Sequence, residues 1–466
     1  MTNASGRDVA LHAVRAALTG KAFAGQVLRA ERDELHLAGR EAGFATQVAL
    51  GAVRHLLTIE HVLSAVARFD RRRVPRTLRA ILYCAAYQVL WMDRVPVFAA
   101  VDEAVAQAHR HVGGRSPGMV NAVLRQLVRA IGERRVAWQR LDPHQVRVSW
   151  DQACAFSRDV LPPADAADGF MTHLAAATGE RLERYHTLVA RFGAERAEQI
   201  VWASQAVPVT VLQRQTLRIG PDEFRTGVIS VSAATGIEST ADAAFLPASL
   251  HLSDIPLFVE GKAFVQDPTA RAAAVLVAAQ PGERVLDLCA APGGKSMALA
   301  LQMQDRGEIV ACDVSPQRLE RVQENTRRLG LSCIRTHVLP AAIPRERPAL
   351  GTFDAALVDV PCTNTGVIAR RPEARLSFSA HKLRALLAPQ RDLLRLAATH
   401  VRPGGRLVYS TCSLEPEENE RQVEQFLAEH PDWSLDHQET TLPRWGPRLA
   451  DWHDGGFAAR LVHLAD

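Results

Sequence analysis

The chain reads as a multidomain protein: an all-α helical domain followed by an α/β domain built on a doubly wound, mainly parallel sheet. Three observations predict this. Its 466 residues exceed what one core organises. Residues 1–140 carry helical apolar periodicity without strand-like alternation. From Gly282 onward, short apolar runs alternate with amphipathic stretches, the rhythm of β-α-β units. The expected segments are 1–140, helical; 141–250, a linker with a small mixed subdomain; and 251–466, the α/β domain.

In the first segment, "GRDVALHAVRAAL" sets Val9, Leu11, Val14 and Leu18 on one stripe, with Ser5 or Asp8 able to cap its start. The pattern continues through residues 44–69, 70–92 and 97–112, and a "GGRSPG" break precedes "MVNAVLRQLVRAI". In the middle segment, residues 179–205 read as helix and "VPVTVLQRQTL" as strand. In the last, "RVLDLCA", "EIVACDVS", "FDAALVDVPC" and "GGRLVYSTCS" read as strands. Helices are expected from "MALALQMQ", "PQRLERVQENTRRLG", "LRALLAPQRDLLRLAATHV" and "ENERQVEQFLAEH".

Composition is that of an ordinary globular chain, 47% apolar and 23% charged. No secretory leader and no run near the ~20 apolar residues of a membrane span is recognisable. Seven scattered cysteines with no C-x-x-C pair argue against a zinc site or a disulfide framework, and for a reducing cytoplasm. Residues 1–150 hold 22 Lys and Arg against 12 Asp and Glu, leaving 33 against 39 for the remainder. A basic N-terminal third suits a polyanion such as nucleic acid, or an Arg-rich solvated helical surface.

"VLDLCAAPGGK" ends a strand in the small-residue loop Ala290-Ala291-Pro292-Gly293-Gly294 before a helix. There a ligand can approach the backbone and the helix N-terminus favours anionic groups. Asp313 ends the next strand, 20 residues beyond Gly293, placed to bind ribose hydroxyls of an adenosine-containing ligand or simply to cap a turn. The spacing fits neither a dinucleotide fingerprint nor a P-loop. Two more strand ends carry thiols: "DVPC" offers Asp359 and Cys362, and "STC" offers Cys412.

Together, "LDLCAAPGGKS", "DVPCTNTGVIARRPE" and "YSTCSLEPEENE" resemble the RNA cytosine-5 methyltransferases that use S-adenosylmethionine. "FVQDPTAR" is similar to the segment before their first sheet strand. "VPVFAAVDEAVAQA" with "MVNAVLRQLVR" resembles the NusB-type RNA-binding helical domain. The pairing is similar to the bacterial RsmB/Sun (Fmu) family, whose members methylate 16S ribosomal RNA.

That resemblance implies a NusB-like domain followed by a Rossmann-like catalytic domain. It implies S-adenosyl-L-methionine held by Cys289, Ala290, Ala291, Pro292, Gly293, Gly294, Lys295, Asp313, Arg318 and Asp359. Cys412 is then the nucleophile, Cys362 assists release of product, Asp359 meets the target base at N3, and Lys295 sits near the cofactor and the nucleophile. The expected partner is 16S rRNA with its cytosine in a single-stranded or looped region; the protein is expected to be a cytoplasmic monomer. Transfer RNA is the alternative substrate, and a non-catalytic RNA-binding or ribosome-assembly factor the alternative class.

The chemistry needs these residue types. A thiolate adding to C6 of cytosine breaks its aromaticity and makes C5 nucleophilic, and a base must then remove the C5 proton before elimination. Cys289, Cys312 and Cys333 are expected as core or wall residues, and Cys84 and Cys154 as packing residues of the helical part. Arg370, Arg371 and Arg375 suit phosphate contact or a solvated turn. The acids of "EPEENE" are expected in a first helical turn, where they suit the dipole. His381, His400 and His437 lack metal spacing.

Three departures from the family pattern stand out. Pro340 replaces the usual acid after the third strand. Thr363-Asn364-Thr365 replaces a run of smaller residues, a bulkier expected edge to the base pocket. "VTVLQRQTL" replaces the usual Arg-Val-Asn strand.

Overall fold

The computed structural model describes residues 5–20, 22–165, 168–232, 236–248, 250–340 and 350–465. They form two compact units, Met1–Val207 with Ile368–Ser377, and Pro208–Val367 with Phe378–Asp466. The boundaries expected at 140 and 250 each fall inside one of these units.

The first unit opens with helices Gly6–Thr19, Ala24–Glu34, Gly39–Arg54, Leu56–Ala67, Arg76–Trp91, Val97–His111 and Ser116–Ala130. Ser5 caps the first: its hydroxyl accepts from the Asp8 amide at 3.3 Å while the Asp8 carboxylate reaches back to the Ser5 amide. The 44–69 stretch divides at His55, a buried ring stacked 4.2 Å from Trp91. The expectation of helix throughout residues 1–140 is corrected by β1 (Ile131–Ala137). Gly132 weakens helix continuation, and the following residues pair instead with β3 (Gln152–Phe156), which also pairs with β2 (Gln145–Arg147). Residues 179–205 split into Leu182–Phe192 and Ala194–Ala203 at Gly193, whose φ is +82°.

The second unit begins with a four-stranded antiparallel sheet of β4 (Thr210–Arg214), β5 (Glu238–Ser239), β6 (Ala243–Leu246) and β7 (Ala263–Val265), ordered β5-β6-β4-β7. A seven-stranded sheet follows: β8 (Arg284–Leu288), β9 (Glu308–Asp313), β10 (Ile334–Val338), β11 (Phe353–Asp359), β12 (Val401–Thr411), β13 (Trp433–Thr441) and β14 (Gly456–His463). Their order is β10-β9-β8-β11-β12-β14-β13. The first five are parallel; the last two form an antiparallel hairpin on β12. Alternation along each strand fills both faces. Leu286, Val358 and Leu407 join one buried cluster, whereas Val285, Leu357 and Val408 join the other. Strand order reverses between β8 and β11, which opens a crevice at their carboxyl ends.

Candidate active site

Asp313, Asp359, Cys362 and Cys412 each sit at or just beyond one of those carboxyl ends. β8 runs into the loop 289–293, which is tied to β9 by the Ala290 amide bonding the Cys312 carbonyl at 2.8 Å. Gly293 adopts φ +102°, and a Cβ there would meet Met297 at 2.9 Å and Val322 at 3.2 Å, so glycine is required. At Gly294, first residue of the helix Gly294–Gln302, a Cβ would find nothing nearer than 3.8 Å, an opening beside the helix N-terminus. Asp313 is buried at the end of β9. Arg318 reaches its carboxylate at 3.1 Å and the Ala291 carbonyl at 2.5 Å, bracing the acid against the loop. The Leu339 amide bonds the Asp313 carbonyl at 3.0 Å, which brings exposed Pro340 to this edge. Residues 341–349 lie outside the described residues.

At β11 the Lys295 ammonium lies 2.7 Å from Asp359 Oδ2, and the Ser410 hydroxyl donates to Asp359 Oδ1 at 2.9 Å. Burial opposes the Lys295 charge, but the attraction of Asp359 outweighs it and holds the ammonium above its usual pKa. Beneath them Asp287 is fully buried, receiving the Ser296 hydroxyl at 2.6 Å. Burial pushes its carboxyl up to about 7, Ser296 and Lys295 pulling the other way.

The two cysteines meet. Cys362 Sγ and Cys412 Sγ lie 3.2 Å apart, and Cys412 also donates to Asn364 Oδ1 at 3.2 Å. The Asn364 amide nitrogen donates to the Cys362 carbonyl at 2.8 Å, and Asn364 tolerates its φ of +63° as few other side chains do. The bond to Cys412 and burial, with the charge of Glu418 adding, raise the Cys362 thiol well above its usual pKa. Gly366 permits a close approach: its amide bonds the Cys412 carbonyl at 3.0 Å, and a Cβ would lie 2.6 Å from the Gly455 carbonyl oxygen.

A cavity of about 110 Å³ joins Lys295, Asp359 and Cys412 to Asp267, His437 and Asp454. Thr363 and Thr365 do not line it. Both are buried and turned toward Ser413, each 3.2 Å from its hydroxyl, so they form no edge of this cavity; Asn364 alone of the three meets Cys412.

Two further expectations are corrected. Arg375 is neither a phosphate contact nor a solvated residue. It is buried in the first unit, bonded to the Arg54 carbonyl at 3.0 Å and to Ser204, with Glu180 at 3.7 Å. Of the acidic run, Glu418 precedes its helix and is fully buried, accepting from the Thr363 amide at 2.9 Å. Cys84, Cys154, Cys312 and Cys333 are buried, as packing residues should be. His400 is a core residue bonded to the Gly351 carbonyl at 2.9 Å.

The sequence held no sign of Asp287, Ser410 or Glu418 as site residues, nor of His437 as a cavity residue; Asn364 was expected at the base pocket but not as a partner of Cys412. Ser410 lay inside the motif that carries Cys412, two positions before it. Nothing in the spacing distinguished Glu418 from its acidic neighbours.

A seven-stranded sheet of this order, with a glycine loop after its first strand and reactive side chains at the next strand ends, defines a class, the Rossmann-like methyltransferases. Comparison makes this specific. Residues 274–445 match the family described as 16S rRNA methyltransferase RsmB/F, and residues 5–129 match the NusB family. A probable ribosomal RNA small subunit methyltransferase B of Synechocystis sp. is 31% identical, the match covering 86% of this chain and 84% of that protein. Ribosomal RNA small subunit methyltransferase B of Shewanella oneidensis is 30% identical over 92% of each chain. Among solved structures, the protein PH0851 shares the fold at a TM-score of 0.73 and 21% identity, covering 97% of this chain and 98% of that one. The chain belongs to the RsmB/F family of 16S rRNA methyltransferases. Among the described residues, no helix is long and apolar enough to cross a membrane.

Proposed function

We propose that this protein methylates C5 of a cytosine in small-subunit (16S) ribosomal RNA, using S-adenosyl-L-methionine and a covalent bond from Cys412 to C6. The observation that carries this reading is two thiols 3.2 Å apart, one of them lining the same cavity as the Lys295–Asp359 ion pair. The relatives named for ribosomal RNA small subunit methylation support the substrate.

The residues suit the cosubstrate. The open space at Gly294 admits a ligand against the backbone, and the buried carboxylate of Asp313 suits paired ribose hydroxyls. Cys289, Ala290, Ala291, Pro292, Gly293, Gly294 and Lys295 would line it, with Arg318 holding the loop and Asp313 in place and Asp359 near the reacting end. When bound, S-adenosylmethionine supplies an electrophilic methyl on sulfur.

In this reading the thiolate sulfur of Cys412 adds to C6 and its electrons pass through the ring to C5, which takes the methyl as the methyl–sulfonium bond breaks and its electron pair leaves on the sulfur of S-adenosylhomocysteine. The C5 proton is then removed, the C5–C6 double bond re-forms, and the C6–S electron pair returns to Cys412, Cys362 assisting this release. Asp359, oriented by Lys295 and Ser410, faces the base at N3. The base must stand outside any stack, so single-stranded or looped RNA is the favoured substrate. The basic N-terminal region would hold its phosphates, making affinity salt-dependent. We keep the expectation of a monomer, and a ribosomal RNA substrate supports a cytoplasmic location.

The test is incubation with labelled S-adenosylmethionine and protein-free small-subunit rRNA, followed by nucleoside analysis. 5-Methylcytosine is the expected product. Product from transfer RNA alone would overturn the substrate, and no cosubstrate binding with no product from either RNA would favour the non-catalytic factor.

A further inference from the structure

We propose that Glu418 is a positioning residue that brackets the two cysteine-bearing loops so that their thiols meet, an inference that rests on the two-cysteine reading above. The pairing of β11 with β12 runs only to Asp359 and Ser410. Cys362 and Cys412 both lie beyond it, so strand register alone does not set their separation.

The residues that follow the cysteines are Thr363 and Ser413, and Glu418 holds the first directly and the second through it. Its two carboxylate oxygens accept the Thr363 amide at 2.9 and 3.2 Å, and one also accepts the Thr363 hydroxyl. That hydroxyl lies 3.2 Å from the Ser413 hydroxyl, so Ser413 is tied to Glu418 through Thr363. From the helix Ala380–Thr399, Gln390 donates at 2.9 Å to Glu418 and at 2.9 Å to the Pro361 carbonyl. One buried carboxylate therefore fixes the backbone on both sides of Cys362 and, through Thr363, the residue after Cys412. The bond from Gly366 to the Cys412 carbonyl closes the far end of the loop.

The residue type fits the task. Only an acceptor with two oxygens and several lone pairs can take a backbone amide, a hydroxyl and a carboxamide at once. Burial pushes the Glu418 carboxyl above its usual pKa, and the donors converging on it pull the other way. A glutamine would turn an N–H group toward one of these donors and break the bracket. Because the thiols must act on opposite sides of one bond-breaking step, displacement of either loop by about 1 Å should slow turnover without weakening RNA or cosubstrate binding.

The test compares wild type, Glu418→Gln and the milder Thr363→Val, which removes one hydroxyl and keeps the fold's volume. Hydrogen peroxide converts two adjacent thiols to a disulfide with release of two waters, so the rate of Cys362–Cys412 joining in RNA-free protein, read by peptide mass, reports their proximity. We expect Glu418→Gln to slow joining about tenfold and to lower kcat about tenfold, with KM for RNA and for S-adenosylmethionine within about twofold. Thr363→Val should shift both readings the same way by less. Wild-type joining rates and kcat in both variants, or loss of activity only in proportion to a lowered Tm, would overturn the proposal. Failure of the wild type to methylate would instead overturn the proposed function, and the joining rates would still decide the bracket.

Discussion

Cys362 Sγ stands 3.2 Å from Cys412 Sγ, although fifty positions of sequence separate them. The contact exists because β11 and β12 are adjacent parallel strands whose carboxyl ends open into the same crevice. Asn364 bonds both partners, its oxygen to the Cys412 thiol and its nitrogen to the Cys362 carbonyl, and so orients them together.

Lys295→Met should abolish most activity and lower stability. The substitution leaves Asp359 without its 2.7 Å partner in a mostly buried site, a loss of about 1–3 kcal/mol. Methylation assays with thermal unfolding check this; a variant with wild-type Tm and kcat would contradict it.

Asp287 predicts a pH effect on stability. Its carboxyl titrates near 3.8 when unfolded and at about 7 when folded, so the folded state holds the proton more tightly between those values. Stability from this group is therefore fully present below about pH 4, falls as pH rises toward 7, and changes no further above it. Asp287→Asn keeps an oxygen for the Ser296 hydroxyl and carries no titrating charge. Between pH 5.5 and 8 its stability should gain on wild type by about 2 kcal/mol. Parallel denaturation curves across that range would refute the assignment.

Arg375→Ala should destabilise the first unit by about 2–4 kcal/mol, because it strips bonds from the Arg54 carbonyl and Ser204 and exposes the buried Glu180 charge to poorer pairing. A phosphate contact would behave differently, lowering RNA affinity and its salt dependence while leaving Tm unchanged. Thermal unfolding alongside RNA titration at two salt concentrations separates the two.

The fold class was legible because periodicity reports burial, and burial follows the layers. The parallel strands read as apolar runs because both their faces are covered, and the reading placed four of the five. It missed β10, where "IRTHV" is largely exposed at the sheet edge, and the β13–β14 hairpin, whose outer strand is mostly polar. It also read helix across Ile131–Ala137, since an edge strand with Gly132 and Glu133 both exposed carries little period-two signal. The candidate site was legible where chemistry demands a residue type at a strand end: Asp359, Cys362 and Cys412 lie together as that logic expects. Glu418 and Arg375 were illegible because their roles come from burial against residues distant in sequence, which no local pattern encodes.

The most direct test of the account is to look for the covalent intermediate. Wild type, Cys412→Ala and Cys362→Ala are each incubated with S-adenosylmethionine and small-subunit rRNA, denatured, and resolved for protein–RNA adducts. A persistent adduct is expected with Cys362→Ala, which forms the Cys412–C6 bond but releases it poorly, and neither adduct nor 5-methylcytosine with Cys412→Ala. Methylation surviving Cys412→Ala, or an adduct that requires Cys362 instead, would contradict it.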